Sequence, residues 1–486
     1  MQTYTRVLGC VITASLGLAS QAMPAVPTED SRSAALQSEM QAMKSEIESM
    51  RRDYEARLRA LEERLAVAEQ RANAGGAAAE NGEGAATAEL PAVAADAPRD
   101  TAPVDTPEQP APATGPINAF ARFARALNPS ISAILQGRAA YFSGGGDGER
   151  DIPGYPLGGT TDRGPDGLAL GESELVFSAN VDDKFYGFFN LGFDQDDIEI
   201  EEAYFSTLAL PLGFGLKGGQ FLSAIGYHND RHSHTWDFVD APLVYDAMLG
   251  GALSDPGVQI SWIAPTDLYV ELGAEVFRGD AYPAAGADNS GFGSVVGFAK
   301  FAGDLNESHS WKAGVSYLRA ESRGRESKLG SYGTFSFDGT SDLVVVDFVW
   351  KWAPLGNFRE RNFTFQTEFM HRYESGPLRS NALAGRYRSD QDGFYAQSVY
   401  QFMPRWRVGL RYGEIWSDNR ATSPLPNALA EDGSSPRRLS AMLDFSNSEF
   451  SRLRLQYSFA SGGLGDDSLV YLQYIMSIGS HGAHAF

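Results

Sequence analysis

The chain holds one cysteine in 486 residues, Cys10, and beyond its first segment it has no run of the ~20 apolar residues that a membrane-crossing helix needs. With no second cysteine, no disulfide within the chain can support the fold. Positive charge is scarce as well: 40 Lys and Arg stand against 62 Asp and Glu, a formal charge of −22. That balance argues against nucleic acid as a partner. From Ser130 onward there is no Gly-x-Ser-x-Gly elbow, phosphate loop or zinc-protease helix motif, so the sequence gives little support to an enzyme.

What is present divides into four stretches. Residues 1–22 read as a signal peptide, with Arg6 as the positive end, Val7 to Leu18 as the apolar run and Ser20-Gln21-Ala22 at the cleavage site. Residues 31–72 carry apolar side chains four and three residues apart, from Leu36, Met40, Met43 and Ile47 to Leu61, Leu65 and Ala68. This is the seam of a periplasmic coiled coil, and a lone amphipathic helix gives the same pattern. Such a seam points to self-association, a trimer being one option, or to a partner such as the cell wall. Residues 75–116 are rich in Ala, Pro and acid without periodicity and read as a flexible linker.

Residues 130–486 alternate apolar with polar side chains in segments of strand length. Sixteen strands can be placed, the first at 130–142 and the last at 468–479. Turns after even-numbered strands are tight, as at Asp182-Asp183, Pro265-Thr266 and Pro404, whereas odd-numbered strands run mostly into longer loops. Short turns at one end and long loops at the other predict an all-β transmembrane barrel of about sixteen antiparallel strands. A closed barrel pairs its backbone groups between strands, which an open sheet in lipid cannot do. The terminal Phe486 resembles the signal by which the barrel assembly machinery recognises its clients. The implied location is the cell outer membrane, with the barrel in lipid and the N-terminal stalk in the periplasm.

Alternation assigns a face to each side chain. In the tenth strand Val344, Val346, Phe348, Trp350 and Trp352 face lipid, with Asp347 and Lys351 inward. In the fifteenth, Leu453, Leu455, Tyr457 and Phe459 face outward and Arg452, Arg454, Gln456 and Ser458 inward. A charged interior predicts a water-filled lumen. Its pore-lining charges segregate: Glu172, Glu174, Glu199, Glu201, Glu271 and Glu275 on strands two, four and seven, and Arg407, Arg411, Arg438, Arg452 and Arg454 on strands thirteen to fifteen. In a sixteen-strand ring these walls face each other across the water, setting up a transverse field; solvated residues paired with neighbours are the plainer account.

The third outer loop, 222–256, has too many apolar residues for an exposed surface and is expected to fold into the barrel, with Arg231, Trp236, Asp237 and Asp240 at the constriction. His228, His232 and His234 lie within seven residues there. With Asp230, Asp237 or Asp240 they could form a site for zinc; histidines that merely shape the constriction explain the spacing equally.

In its signal, coiled coil, linker and barrel the chain resembles outer-membrane porins of the phosphate-selective type and siderophore porins of the legiobactin-receptor kind. Glu201-Glu-Ala-Tyr-Phe205, Gly219-Gln-Phe221, His232-Ser-His-Thr-Trp-Asp-Phe238 and the ending Gly482-Ala-His-Ala-Phe486 are similar to chains described as zinc-regulated TonB-dependent outer-membrane receptors. A receptor of that type needs a globular plug and about twenty-two strands, and neither is legible here. The resemblance therefore implies a passive channel for small hydrophilic or charged solutes, with uptake of zinc, a siderophore or another metal chelate as the alternative.

Overall fold

The computed structural model describes residues 130–479, apart from 146–147, 196, 286–288, 290, 329–332, 381–382, 423–424, 426–428 and 430–432. The expected signal peptide, coiled coil and linker, and the histidines and phenylalanine of the last residues, lie outside the described residues.

The chain forms a closed antiparallel barrel of sixteen strands. Strand β1 is Ser130–Phe142; β2 has two segments, Gly167–Leu170 and Ser173–Asn180. Then come β3 (Phe185–Phe193), β4 (Ile198–Thr207), β5 (Phe214–Leu222), β6 (Ser254–Ile263), β7 (Tyr269–Phe277) and β8 (Ser294–Asn306). The rest are β9 (His309–Lys328), β10 (Thr334–Trp352), β11 (Asn362–Arg379), β12 (Ala384–Met403), β13 (Trp406–Ala421), β14 (Arg437–Ser448), β15 (Ser451–Ser461) and β16 (Asp467–Gly479). Each pairs with the next in sequence. Strand β1 closes the ring by pairing with β16, from Ser132↔Gly479 to Phe142↔Leu469, and with both segments of β2. Closure leaves no sheet edge.

The wall is uneven in height. Strands β9 to β12 run 18–20 residues, whereas β3 to β7 run 9–10. Apolar alternation alone ends β9 at 320 and starts β10 at 341; both in fact continue by hydrogen bonding to Lys328 and from Thr334. Their outward positions beyond that point carry exposed ion pairs such as Arg323–Glu321 and Arg379–Asp338. Backbone pairing persists where the apolar signal stops.

Side chains follow the expected faces on β10 and β15. Val346, Leu455 and Tyr457 are exposed on the outer surface, and Asp347, Arg454, Gln456 and Ser458 are buried inside. Near the short-turn end, Trp350 stacks on His309 at 5.5 Å and meets Phe363, and Trp406 meets Phe445 at 4.8 Å.

The interior departs from the water-filled lumen that a charged lining predicts. Residues between β5 and β6 pass inside the ring and carry a short helix, α1 (Leu243–Leu249), every residue of which is buried. Gly250 ends it in the left-handed conformation at φ 66°, the usual glycine stop. Leu243, Val244, Tyr245 and Met248 pack against Leu318, Leu343, Val345, Met370, Tyr395 and Ile415, the inward residues of β9 to β13. Part of the lining is therefore apolar because it faces protein. The loop after β1 covers α1: Tyr155 donates to the carbonyl oxygens of Asp392 and Trp416, and Gly159 N–H donates to Ala247 O.

Candidate functional site: the inserted loop and the two walls

The loop between β5 and β6 fits the charge of both walls. On one side the arginines take it up. Arg407 binds Asp237 at 2.9 Å; Arg411 and Arg438 hold the two carboxylate oxygens of Asp240 at 2.5 and 2.7 Å. Arg452 donates to His234 O and Arg454 to Trp236 O, and Arg454 also pairs with Asp444 at 2.8 Å. Burial alone would raise the Asp240 carboxyl, but Arg411 and Arg438 outweigh it and hold it down at about 2. Asp237 and Asp240 thus serve the basic wall and not the histidines.

On the other side the loop presents imidazoles to the acids. His234 Nδ1 lies 2.5 Å from Glu174 Oε1. His232 sits between neighbouring carboxylates, with Nδ1 3.0 Å from Glu201 Oε2 and Nε2 2.8 Å from Glu202 Oε2. Two adjacent strand residues cannot both face inward in regular alternation. A bulge allows it: Asn190 pairs with Glu202 and Leu191 with Ile200, leaving Glu201 as the extra residue. Ile198 and Ile200 before the bulge and Phe205 after it are all exposed on the outer surface, as this change of parity requires. Burial would lower the His232 imidazole, yet its hydrogen bonds to Glu201 and Glu202 and the charge of Glu174 hold it well above its ordinary value.

Acidic and basic walls therefore do not confront each other across open water. The loop stands between them, its histidines on the acids and its aspartates on the arginines. Glu172 and Glu199 remain exposed, while Glu271 accepts from Tyr269 Oη at 2.8 Å. Glu275, fully buried, accepts from Ser223 Oγ and from Ala224 N–H and so fixes the start of the loop. Arg231 donates to Tyr227 Oη at 2.6 Å, and Trp236 Nε1 donates back to Arg231 O.

The three histidines do not converge. His228 packs at a tilt against Trp236 at 4.7 Å and edge-on against Tyr245 at 4.9 Å, away from the carboxylates around His232. Burial, with Arg411 and Arg231 adding to it, pushes its imidazole well below the ordinary value. Its backbone N–H and that of Tyr227 donate to Glu368 at 3.0 and 3.1 Å, and the hydroxyls of Tyr245 and Tyr395 reach the same carboxylate at 2.8 and 2.6 Å. Sequence reasoning misses Glu368 and Asn190 and the inward turn of Glu202. The signals were there: a carboxylate in an aromatic strand, a Glu-Glu pair that breaks alternation, and an asparagine inside Phe188-Phe-Asn-Leu-Gly-Phe193.

No family model matches the chain. An uncharacterized protein of Aquifex aeolicus (strain VF5) is 31% identical over 340 residues, 66% of this chain and 70% of that protein. The chain belongs to the family of that protein. Among solved structures it is similar to the trimer form of OmpT, an outer membrane protein of Vibrio cholerae, at 10% identity and a TM-score of 0.46, over 72% of this chain and 99% of that one. The outer membrane channel DcaP of Acinetobacter baumannii gives 16% and 0.45, over 72% and 97%. OprB of Pseudomonas putida gives 12% and 0.44, over 75% and 98%.

Proposed function

We propose that the protein is an outer-membrane channel through which small hydrophilic or charged solutes pass passively beside the inserted loop. One observation carries this reading: a closed ring with apolar side chains outward and charges inward. Leu439, Leu443, Leu453, Leu455 and Leu472 are exposed on neighbouring strands, while Arg438, Asp444, Arg454 and Gln473 between them are buried. Only a surrounding apolar solvent makes that outward belt favourable, at roughly 25 cal/mol per Å² covered. Along the loop, Asp230 stays 41% exposed and Asp237 and Arg407 22% each, so water reaches charged side chains within the ring. Lipid, the barrel assembly machinery and further copies of the chain, a trimer among the options, are its partners in this reading. The apolar seam over 31–72 supports the last of these.

The test is conductance of the purified full chain in planar bilayers. Stepwise currents support the channel; a barrel that never conducts, even with residues 224–252 replaced by a short linker, overturns it. A second reading, metal or metal-chelate uptake, is favoured by the ligand atoms that meet at His232.

A further inference from the structure

Among the described residues Glu174, Glu201 and His232 each offer one ligand atom to the same point in the lumen, all within 4.8 Å of one another. The imidazole nitrogen is 3.0 Å from the Glu201 oxygen and 3.7 Å from the Glu174 oxygen. Those separations bracket the edge of about 3.4 Å expected of a tetrahedron with bonds of about 2.1 Å, the bond length of zinc to nitrogen or oxygen. The side-chain amide of Asn190 stands at the fourth corner around that point, its Nδ2 lying 2.8, 2.8 and 3.3 Å from the three atoms. Asn190 is wholly buried, yet its Oδ1 has no hydrogen-bond partner. Turning that amide over places a carbonyl oxygen at that corner as a fourth donor.

The surroundings are those of a ligated imidazole. A metal-binding histidine usually gives its other ring N–H to a carboxylate, which fixes the tautomer. Here Glu202 Oε2 takes that place at 2.8 Å from Nε2, leaving Nδ1 to the shared point. The β4 bulge is what brings Glu202 inward, where its other oxygen accepts from Leu222 N–H at 2.9 Å. Glu174 is oriented in turn through its other oxygen by His234.

We propose that Glu174, Glu201 and His232, with Asn190 as the fourth donor, form a binding site for a divalent transition-metal ion of the zinc class on the acidic wall of the lumen. The ligand set replaces the three-histidine grouping that sequence spacing suggests, and His228 has no part in it. Carboxylate and imidazole without thiolate suit a borderline ion over a soft one, and the imidazole disfavours calcium. The inference deepens the metal-uptake reading but concerns binding alone; whether the barrel conducts does not enter its test.

The test uses the folded full chain in detergent, titrated with zinc chloride by calorimetry and with cobalt chloride by visible absorption. One zinc per chain, with a tetrahedral cobalt spectrum, is expected. Glu201→Gln, which keeps size and shape, and His232→Ala should each weaken binding at least tenfold, whereas His228→Ala should change it less than twofold. Circular dichroism confirms that each variant remains a barrel. Absence of saturable zinc binding by the parent overturns the proposal. So does loss of binding in His228→Ala but not in His232→Ala, or calcium competing as well as zinc.

Discussion

Glu202 Oε2 lies 2.8 Å from His232 Nε2, although Glu202 directly follows Glu201, which holds the other nitrogen of the same ring at 3.0 Å. A strand can present consecutive side chains to one imidazole only where it bulges. That bulge and the loop are mutually dependent: without the histidine, Glu201 and Glu202 would crowd like charges inside the wall. Seating of the loop and the set of the wall are therefore one feature.

Asp240 should be the principal latch. Replacing it with Ala leaves Arg411 and Arg438, both nearly enclosed, without their shared carboxylate. Breaking a buried pair of this kind costs about 3–5 kcal/mol. The expected outcome is faster proteolytic cleavage within 223–253 and, if the barrel conducts, larger and noisier current steps. Unchanged cleavage would mean that the apolar packing of α1 seats the loop by itself.

The same carboxylate gives a pH dependence of defined sign. Its folded value of about 2 lies below the ordinary Asp value. It therefore contributes stability that is complete above about pH 4 and is lost as the pH falls towards 2, about 2–3 kcal/mol in all. Loop cleavage by an acid-stable protease, followed from pH 5 to pH 2, should rise over that window. Asp240→Asn should flatten that part of the curve.

Glu368 should matter for the turn at the loop's entry. Gly226 there has φ 66°, and a Cβ on it would lie 2.3 Å from Glu368 Oε2 and 2.7 Å from Tyr245 Oη. Gly226→Ala should cost at least about 1 kcal/mol from the left-handed backbone alone, with the clash added. Tyr395→Phe, which removes one of the donors to Glu368, should cost about 1 kcal/mol. Denaturant midpoints of the refolded barrel measure both, and Gly226→Ala should be the worse.

Leu455→Arg distinguishes a lipid-facing surface from a water-facing one. Leu455 is 49% exposed in the middle of β15. In a bilayer the substitution should destabilise the barrel by about 2–4 kcal/mol, whereas on a surface in water it should be nearly neutral. Folding titrations in lipid vesicles give the answer, with the outward but polar-zone Arg323→Ala as the control expected to change little.

The sequence by itself determined the barrel, because strand periodicity, the polarity of each face and the difference between short turns and long loops are local properties. It therefore placed sixteen strands and put Arg454 inside and Leu455 outside. It also carried enough apolar character in 222–256 to require that this segment be buried. What fills the lumen was decided only by the tertiary structure. Alternation tells that Arg411 and Glu174 point inward, but not that one loop brings Asp240, 171 residues away, to the first and His234, 60 residues away, to the second. The bulge at Glu201 is likewise a property of two strands in register, and it reversed the face of Glu202. The histidine spacing suggested a trio; folding separated His228 into an aromatic pocket and gave His232 to carboxylates from β2 and β4. Such groupings depend on residues far apart in the chain meeting at one point, which no local pattern encodes.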